Sequence, residues 1–176
     1  MGARLLRSRR VFEGTVITVR VDEVEGRDGP TAREIVEHRG AVAAVPLLPD
    51  GRVLLVRQYR HAVGGTLLEI PAGTLEPGEA PEAALQRELA EEIGMRAGAL
   101  RHLVTFYPSP GFLTERVHVY LAQSLTPHRL PAEEDDLEVV TVPLAEAQAM
   151  VARGEIRDAK SVIGLLWLRA EAPGGG

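Results

Sequence analysis

Three carboxylates fall close together at Glu88, Glu91 and Glu92, in a stretch whose apolar residues Leu85, Leu89 and Ile93 recur in steps of four. Helical spacing sets Glu88 and Glu92 on one face, with Glu91 one turn from Glu88, and brings Glu92 beside Leu85. The acids therefore border the core-facing side. Like charges at this spacing repel by about 0.2–0.5 kcal/mol per pair. Acids in a last turn oppose the helix dipole by about 0.3–1 kcal/mol each, and partial burial adds to the cost of ionisation. Arg87 can bridge to Glu91, but one cation does not answer three anions. A divalent cation would, and oxygen-only ligands point to Mg²⁺ or Mn²⁺, ions that keep waters and also bind substrate phosphates. The plainer reading is a solvated, glutamate-rich helix face.

The helix that must carry these acids starts near Glu79 and ends at Gly94, with Pro81 in its first turn and a glycine suited to a left-handed cap at its end. Before it, Gly14–Val24 and Thr31–His38 read as strands, as does Thr66–Ile70. Ala41–Leu48 and Arg52–Tyr59 flank Pro49-Asp50-Gly51 and read as a hairpin. After it come strands Leu100–Tyr107, Glu115–Ala122 and Leu137–Val142, then helices Leu144–Arg153 and Asp158–Ala170. Along Glu115–Ala122, Val117, Val119 and Leu121 share an apolar face, while His118, Tyr120 and Ala122 share a mixed, partly covered one. Trp167 is expected to pack the last helix on the core. Arg4, Arg7, Arg9 and Arg10 read as a solvated basic lead-in. Strands on both sides of one central helix, with helices at the end, predict an α/β fold with a mixed sheet between helical layers. A small N-terminal β-sheet region precedes it.

The chain of 176 residues carries a net charge of −5 and is 45% apolar, enough for a buried core and against wholesale disorder. With no cysteine, disulfides and thiolate metal sites are excluded, and a cytoplasmic, reducing home is expected. No apolar run approaches a membrane span, so no membrane partner is expected. The acidic balance disfavours nucleic acid. Nineteen of the 20 basic residues are arginine, and Lys160 is the sole lysine.

Reading outward from the acids gives Gly73, five residues, Glu79, seven residues, then Arg87-Glu88-Leu89-Ala90-Glu91-Glu92-Ile93-Gly94-Met95. This resembles the Nudix box in full. Such a match arises by chance on the order of a few times in a million chains of this composition. The resemblance implies the Nudix α/β/α sandwich and hydrolysis of a nucleoside diphosphate linked to another moiety. By position, it makes Glu88 and Glu92 the main metal ligands, Glu91 an additional one and the carbonyl of Ala72 a backbone ligand. Arg87 would orient the acids, and Gly73 would permit close backbone approach of the loop. Glu79 either ties the loop to the helix or is simply an acid favoured at a helix start.

Glu69-Ile70-Pro71-Ala72-Gly73 before the box, and Ser109-Pro110-Gly111-Phe112 after it, look like the ADP-ribose pyrophosphatase branch; Pro110 stands 16 residues past Gly94. That likeness implies a homodimer built through an N-terminal β-rich region, residues 1–38, ahead of a catalytic domain, 39–172, and a tail, 173–176. It makes Arg57 and Arg60 candidates for the pyrophosphate or terminal ribose, as their planar forks suit phosphate oxygens. One of them reads equally as a strand-end surface charge. Glu69 either accepts from a substrate hydroxyl or forms a strand-end salt bridge. Arg33 and Glu34 match positions that reach substrate from the partner subunit, though an exposed strand reads as well. Ser109 and Gly111 would line the site. Glu134 or Asp135, in the acidic loop before the last strand, matches a glutamate that acts as base or positions water, though a solvated acidic loop reads as well. The implied reaction is Mg²⁺-dependent attack of water on phosphorus, giving AMP and ribose 5-phosphate from ADP-ribose. GDP-mannose or another nucleoside diphosphate sugar is the nearest alternative substrate. A non-catalytic ADP-ribose-binding module is a more distant reading.

Overall fold

The computed structural model describes residues 3–131 and 137–171, which form two compact units. The first joins Met1–Gly40 to Phe106–Arg116. Its sheet is a meander of β1 (Leu5–Glu13), β2 (Thr18–Gly26) and β3 (Gly29–Glu37), antiparallel throughout. The basic lead-in is thus a strand, with Arg7 opposite Glu23 and Arg9 opposite Val21. Every residue of β1 is exposed, so no buried face marks it by alternation, and main-chain pairing with β2 supplies its order. The segment Phe106–Arg116 joins this unit through the main chain: Val36 N–H donates to Phe112 O (2.8 Å) and Thr114 N–H to Val36 O (3.0 Å).

The second unit holds Ala41–Thr105 and Val117–Gly176. Its strands are β4 (Ala41–Pro46), β5 (Arg52–Arg60), β6 (Gly65–Glu69), β7 (Ala72–Thr74), β8 (Met95–Phe106), β9 (Val117–Pro127) and β10 (Glu138–Pro143). Its helices are α1 (Pro81–Glu92), α2 (Leu144–Ala152) and α3 (Ala159–Glu171). One sheet runs β7-β4-β9-β8, the other β10-β5-β6. β4 is parallel to β9 and antiparallel to β7, so the former sheet is mixed.

The expected hairpin of β4 and β5 does not form. The turn is there, with Gly51 N–H on Leu48 O at 3.0 Å, but beyond a single Leu47–Val53 bridge the strands part into different sheets. Both are buried on two faces along Val42–Val45 and Val53–Val56. Strands that need cover on both sides belong inside sheets, between helical layers.

Leu85 and Leu89 of α1, with Ile93 just past its end, pack with Val42 and Ala44 of β4, Leu54 and Val56 of β5, and Tyr120 and Ala122 of β9. Alternation sends the intervening Val45 and Val119 the other way, where Gly164 of α3 lies against them and Ile70. The strands therefore lie between α1 and α3. Tyr120 is 4% exposed and Ala122 fully buried, while His118 on the same face is half-buried, so α1 covers this face only in part. Trp167 departs from expectation at 41% exposed. Ser161, Gly164 and Leu165 supply the buried face of α3, and Trp167 lies well round the helix from Leu165.

Candidate active site

The helix bearing the acids is built as its sequence requires. Pro81 opens it, where no N–H is needed, and Ala80 O accepts from Ala83 and Ala84 N–H at 3.0 Å. Gly94, at φ +66°, ends it in the left-handed conformation that costs glycine nothing. Two carbonyls at this end are capped from far along the chain, Ala90 O by Leu130 N–H (3.1 Å) and Gly94 O by His128 N–H (2.9 Å). The negative end that works against nearby carboxylates is thereby partly satisfied.

Glu88 is 9% exposed, and Arg87 Nη1 donates to its Oε1 at 2.6 Å. The same nitrogen reaches Glu91 Oε2 at 3.3 Å. Nη2 and Nε of Arg87 bond Glu79 at 3.1 and 3.3 Å. Glu79 lies ahead of the helix and also accepts from Glu76 N–H at 3.0 Å, so it joins the loop to α1 through Arg87. The hydrogen bonds from Arg87 hold the Glu79 carboxyl below the usual range. Glu92 turns to the loop instead, and its Oε2 accepts from Ala72 N–H at 3.0 Å. Burial pushes the Glu92 carboxyl up to about 8; the Ala72 N–H opposes that shift and the charge of Glu88 adds to it.

Gly73 is where the loop meets the helix. A Cβ there would collide with the carboxylate of Glu88. Loop backbone, Glu88 and Glu92 thus form an oxygen-lined cradle that only a residue without a side chain leaves open. The carboxylates that line it are oxygen donors, the kind a hard divalent cation prefers. As placed, no three such side chains among the described residues converge on one ion, because Arg87 draws Glu88 and Glu91 while Ala72 holds Glu92.

Arg60 and Glu69 also meet. Nε and Nη2 of Arg60 donate to the two Glu69 oxygens at 2.9 and 2.8 Å, the fork geometry suited to a carboxylate. Glu69 is 1% exposed, and a second cation, Lys160 of α3, reaches its Oε2 at 2.5 Å. Burial alone would raise the Glu69 carboxyl, but the bonds from Arg60 and Lys160 bring it below the ordinary range. Arg57 is not brought into this group. It is exposed, sits on the opposite face of β5 from Arg60 by alternation, and pairs with Glu138 across the strand pair at 3.1 Å.

In the other unit, Arg33 lies opposite Asp22 and Glu34 opposite Val21, so the two point to opposite faces of that sheet. Both are exposed. Ser109 O accepts from Leu113 N–H at 3.0 Å, and Gly111 has open space where a side chain would stand. Glu134 and Asp135 lie outside the described residues. Sequence reasoning passed over Asp158, Lys160 and Ser161; the one available signal was that Lys160 is the only lysine.

The layered fold and the loop–helix cradle define a class. The chain belongs to the NUDIX domain family, whose model matches residues 37–163. It is 39% identical over 170 residues to the ADP-ribose pyrophosphatase of Bacillus subtilis (strain 168), covering 94% of this chain and 92% of that one. It is likewise 39% identical over 130 residues, 68% of each chain, to the GDP-mannose pyrophosphatase of Citrobacter koseri. Among solved structures it resembles an ADP compounds hydrolase, with TM-score 0.84 and 27% identity over 97% of this chain and 94% of the other. No helix among the described residues is long and apolar enough to cross a membrane.

Proposed function

We propose that this chain is a Mg²⁺-dependent pyrophosphohydrolase of nucleoside diphosphate sugars, with ADP-ribose as substrate and AMP and ribose 5-phosphate as products. The observation that carries the reading is the cradle itself: a buried Glu88 carboxylate pressed against Gly73, one turn from a Glu92 bonded to Ala72. Glu88, Glu92, Glu91 and the Ala72 carbonyl would hold the cation, Mn²⁺ being a workable substitute. Bound there, a divalent cation would neutralise diphosphate oxygens and acidify a water for attack on phosphorus. Arg87 keeps Glu88 and Glu91 oriented until they are engaged. Arg60, already poised at the strand end beside Glu69, supplies a planar cation for the phosphates or terminal ribose. The extended match to a relative named for ADP-ribose, against two thirds of the chain for one named for GDP-mannose, favours the former.

A homodimer built through the N-terminal sheet accompanies this reading. Leu5, Leu6, Val11 and Phe12 of β1 are each at least 41% exposed, and β1 is an edge strand. An exposed apolar edge of this kind calls for cover. Arg33 and Glu34 would then serve the partner's site.

The test is product analysis of ADP-ribose hydrolysis in ¹⁸O-labelled water, with and without Mg²⁺, beside a panel including GDP-mannose. AMP and ribose 5-phosphate formed only with metal, one of them carrying the label, is the expected result. Turnover of GDP-mannose with none of ADP-ribose would reassign the substrate. Tight ADP-ribose binding without product would make the chain a binding module.

A further inference from the structure

Four successive residues leading into the cradle are each held from elsewhere in the fold. Glu69 is held through its carboxylate by Arg60 and Lys160. Ile70 N–H donates to Ser161 Oγ at 2.7 Å. Pro71 O accepts from Ala44 N–H at 3.0 Å, and Ala72 N–H donates to Glu92. Two of these anchors, Lys160 and Ser161, are neighbours on the first turn of α3, 91 residues beyond Glu69 and Ile70. Asp158 orders both: its Oδ2 accepts from Lys160 Nζ at 2.9 Å and from Ser161 N–H at 3.3 Å. Ser161 is fully buried, and Lys160 has only 17% of its side chain exposed.

Charge compensation alone does not explain Lys160, because the Arg60 fork already bonds both oxygens of Glu69. What Lys160 adds is a tie from α3 to the end of β6. Ser161 adds a neutral tie one residue on. We propose that Lys160 and Ser161 are positioning residues for the cation site, acting through Glu69 and Ile70 to fix where the Ala72 carbonyl and the Glu92 carboxylate stand. The inference rests on the reading of Glu88, Glu92 and Ala72 as that site. Outer groups that orient ligands typically change metal affinity or activity about 10- to 100-fold when removed.

Lys160→Met, Lys160→Arg and Ser161→Ala are compared with the parent in three measurements. These are Mn²⁺ binding without nucleotide by electron paramagnetic resonance, kcat and KM for ADP-ribose across a Mg²⁺ series, and thermal melting in EDTA. Lys160→Met and Ser161→Ala should weaken Mn²⁺ binding about 10-fold and raise the Mg²⁺ needed for half-maximal rate. KM for ADP-ribose at saturating Mg²⁺ should hold, and Lys160→Arg should recover most of the Mn²⁺ affinity. Should Lys160→Met not fold, Ser161→Ala decides, since it leaves every charge in place. Parental Mn²⁺ affinity in the folded variants, even with a lowered melting temperature, overturns the proposal and leaves a stability role only. A parent that binds Mn²⁺ but does not cleave ADP-ribose would fail the substrate reading while the Mn²⁺ comparison still decides this one. A parent that binds no Mn²⁺ ends both.

Discussion

Gly73 and Glu88 are packed so closely that a methyl group on the first would occupy the carboxylate of the second. The loop can approach the helix only because residue 73 has no side chain. Gly73→Ala should swing Glu88 out of the cradle and lower kcat about 10- to 100-fold, with a small fall in melting temperature. Steady-state kinetics beside a thermal melt checks this, and parental kcat would show that the contact is dispensable.

Glu92→Gln tests the charge apart from the shape. The amide oxygen can still accept from Ala72 N–H, so the loop stays joined to the helix. The carboxylate that a bound cation would require is lost, and turnover should fall about 100-fold or more, with the near-ultraviolet circular dichroism spectrum unchanged. A fully active variant would count heavily against the metal reading.

Arg87 gathers Glu79, Glu88 and Glu91. Without it, three partly buried carboxylates lose their shared donor, at about 1.5–3 kcal/mol for hydrogen bonds to charged groups. Arg87→Ala should therefore melt well below the parent in EDTA. Because a bound cation stabilises the folded state by mass action, Mg²⁺ should narrow that gap. An equal gap with and without Mg²⁺ would mean that the cation binds elsewhere.

Glu69 governs an acid limb. Its folded pKa lies below the ordinary 4.5, so its contribution is fully present above that value and disappears as pH falls through the folded pKa. Glu69→Gln removes the buried anion that Arg60 and Lys160 share, Asp158 still facing Lys160, and should destabilise by about 3–5 kcal/mol near neutral pH. In EDTA melts from pH 7 to pH 3, the difference from the parent should hold to about pH 4.5 and shrink below it. A difference that grows on acidification would reverse the sign assigned to Glu69.

The acids, their helix and its glycine stop were legible because they are local: the evidence is spacing within a few turns. The layered fold followed from the same periodicities. β1 was not, since its charges and apolar residues all face outward and leave no alternation to read. The supposed hairpin misled because a tight turn says nothing of where two fully buried strands go next. Glu69 illustrates the deeper limit. Its place at a strand end suggests a salt bridge, but the second cation comes from Lys160, at a sequence distance no local pattern spans. Arg57 and Arg60 looked alike in one short run, and the pleat separates them.

Gly164 lies with Val45, Val119 and Ile70 crowded about the place a Cβ would take, the nearest at 3.1 Å. It lets the last helix sit low on the strands one turn from Lys160 and Ser161. Bulk introduced there would act as a lever, lifting the lysine and serine from their holds. A defect in cation binding could thus arise from a substitution that meets no ion, no phosphate and no solvent.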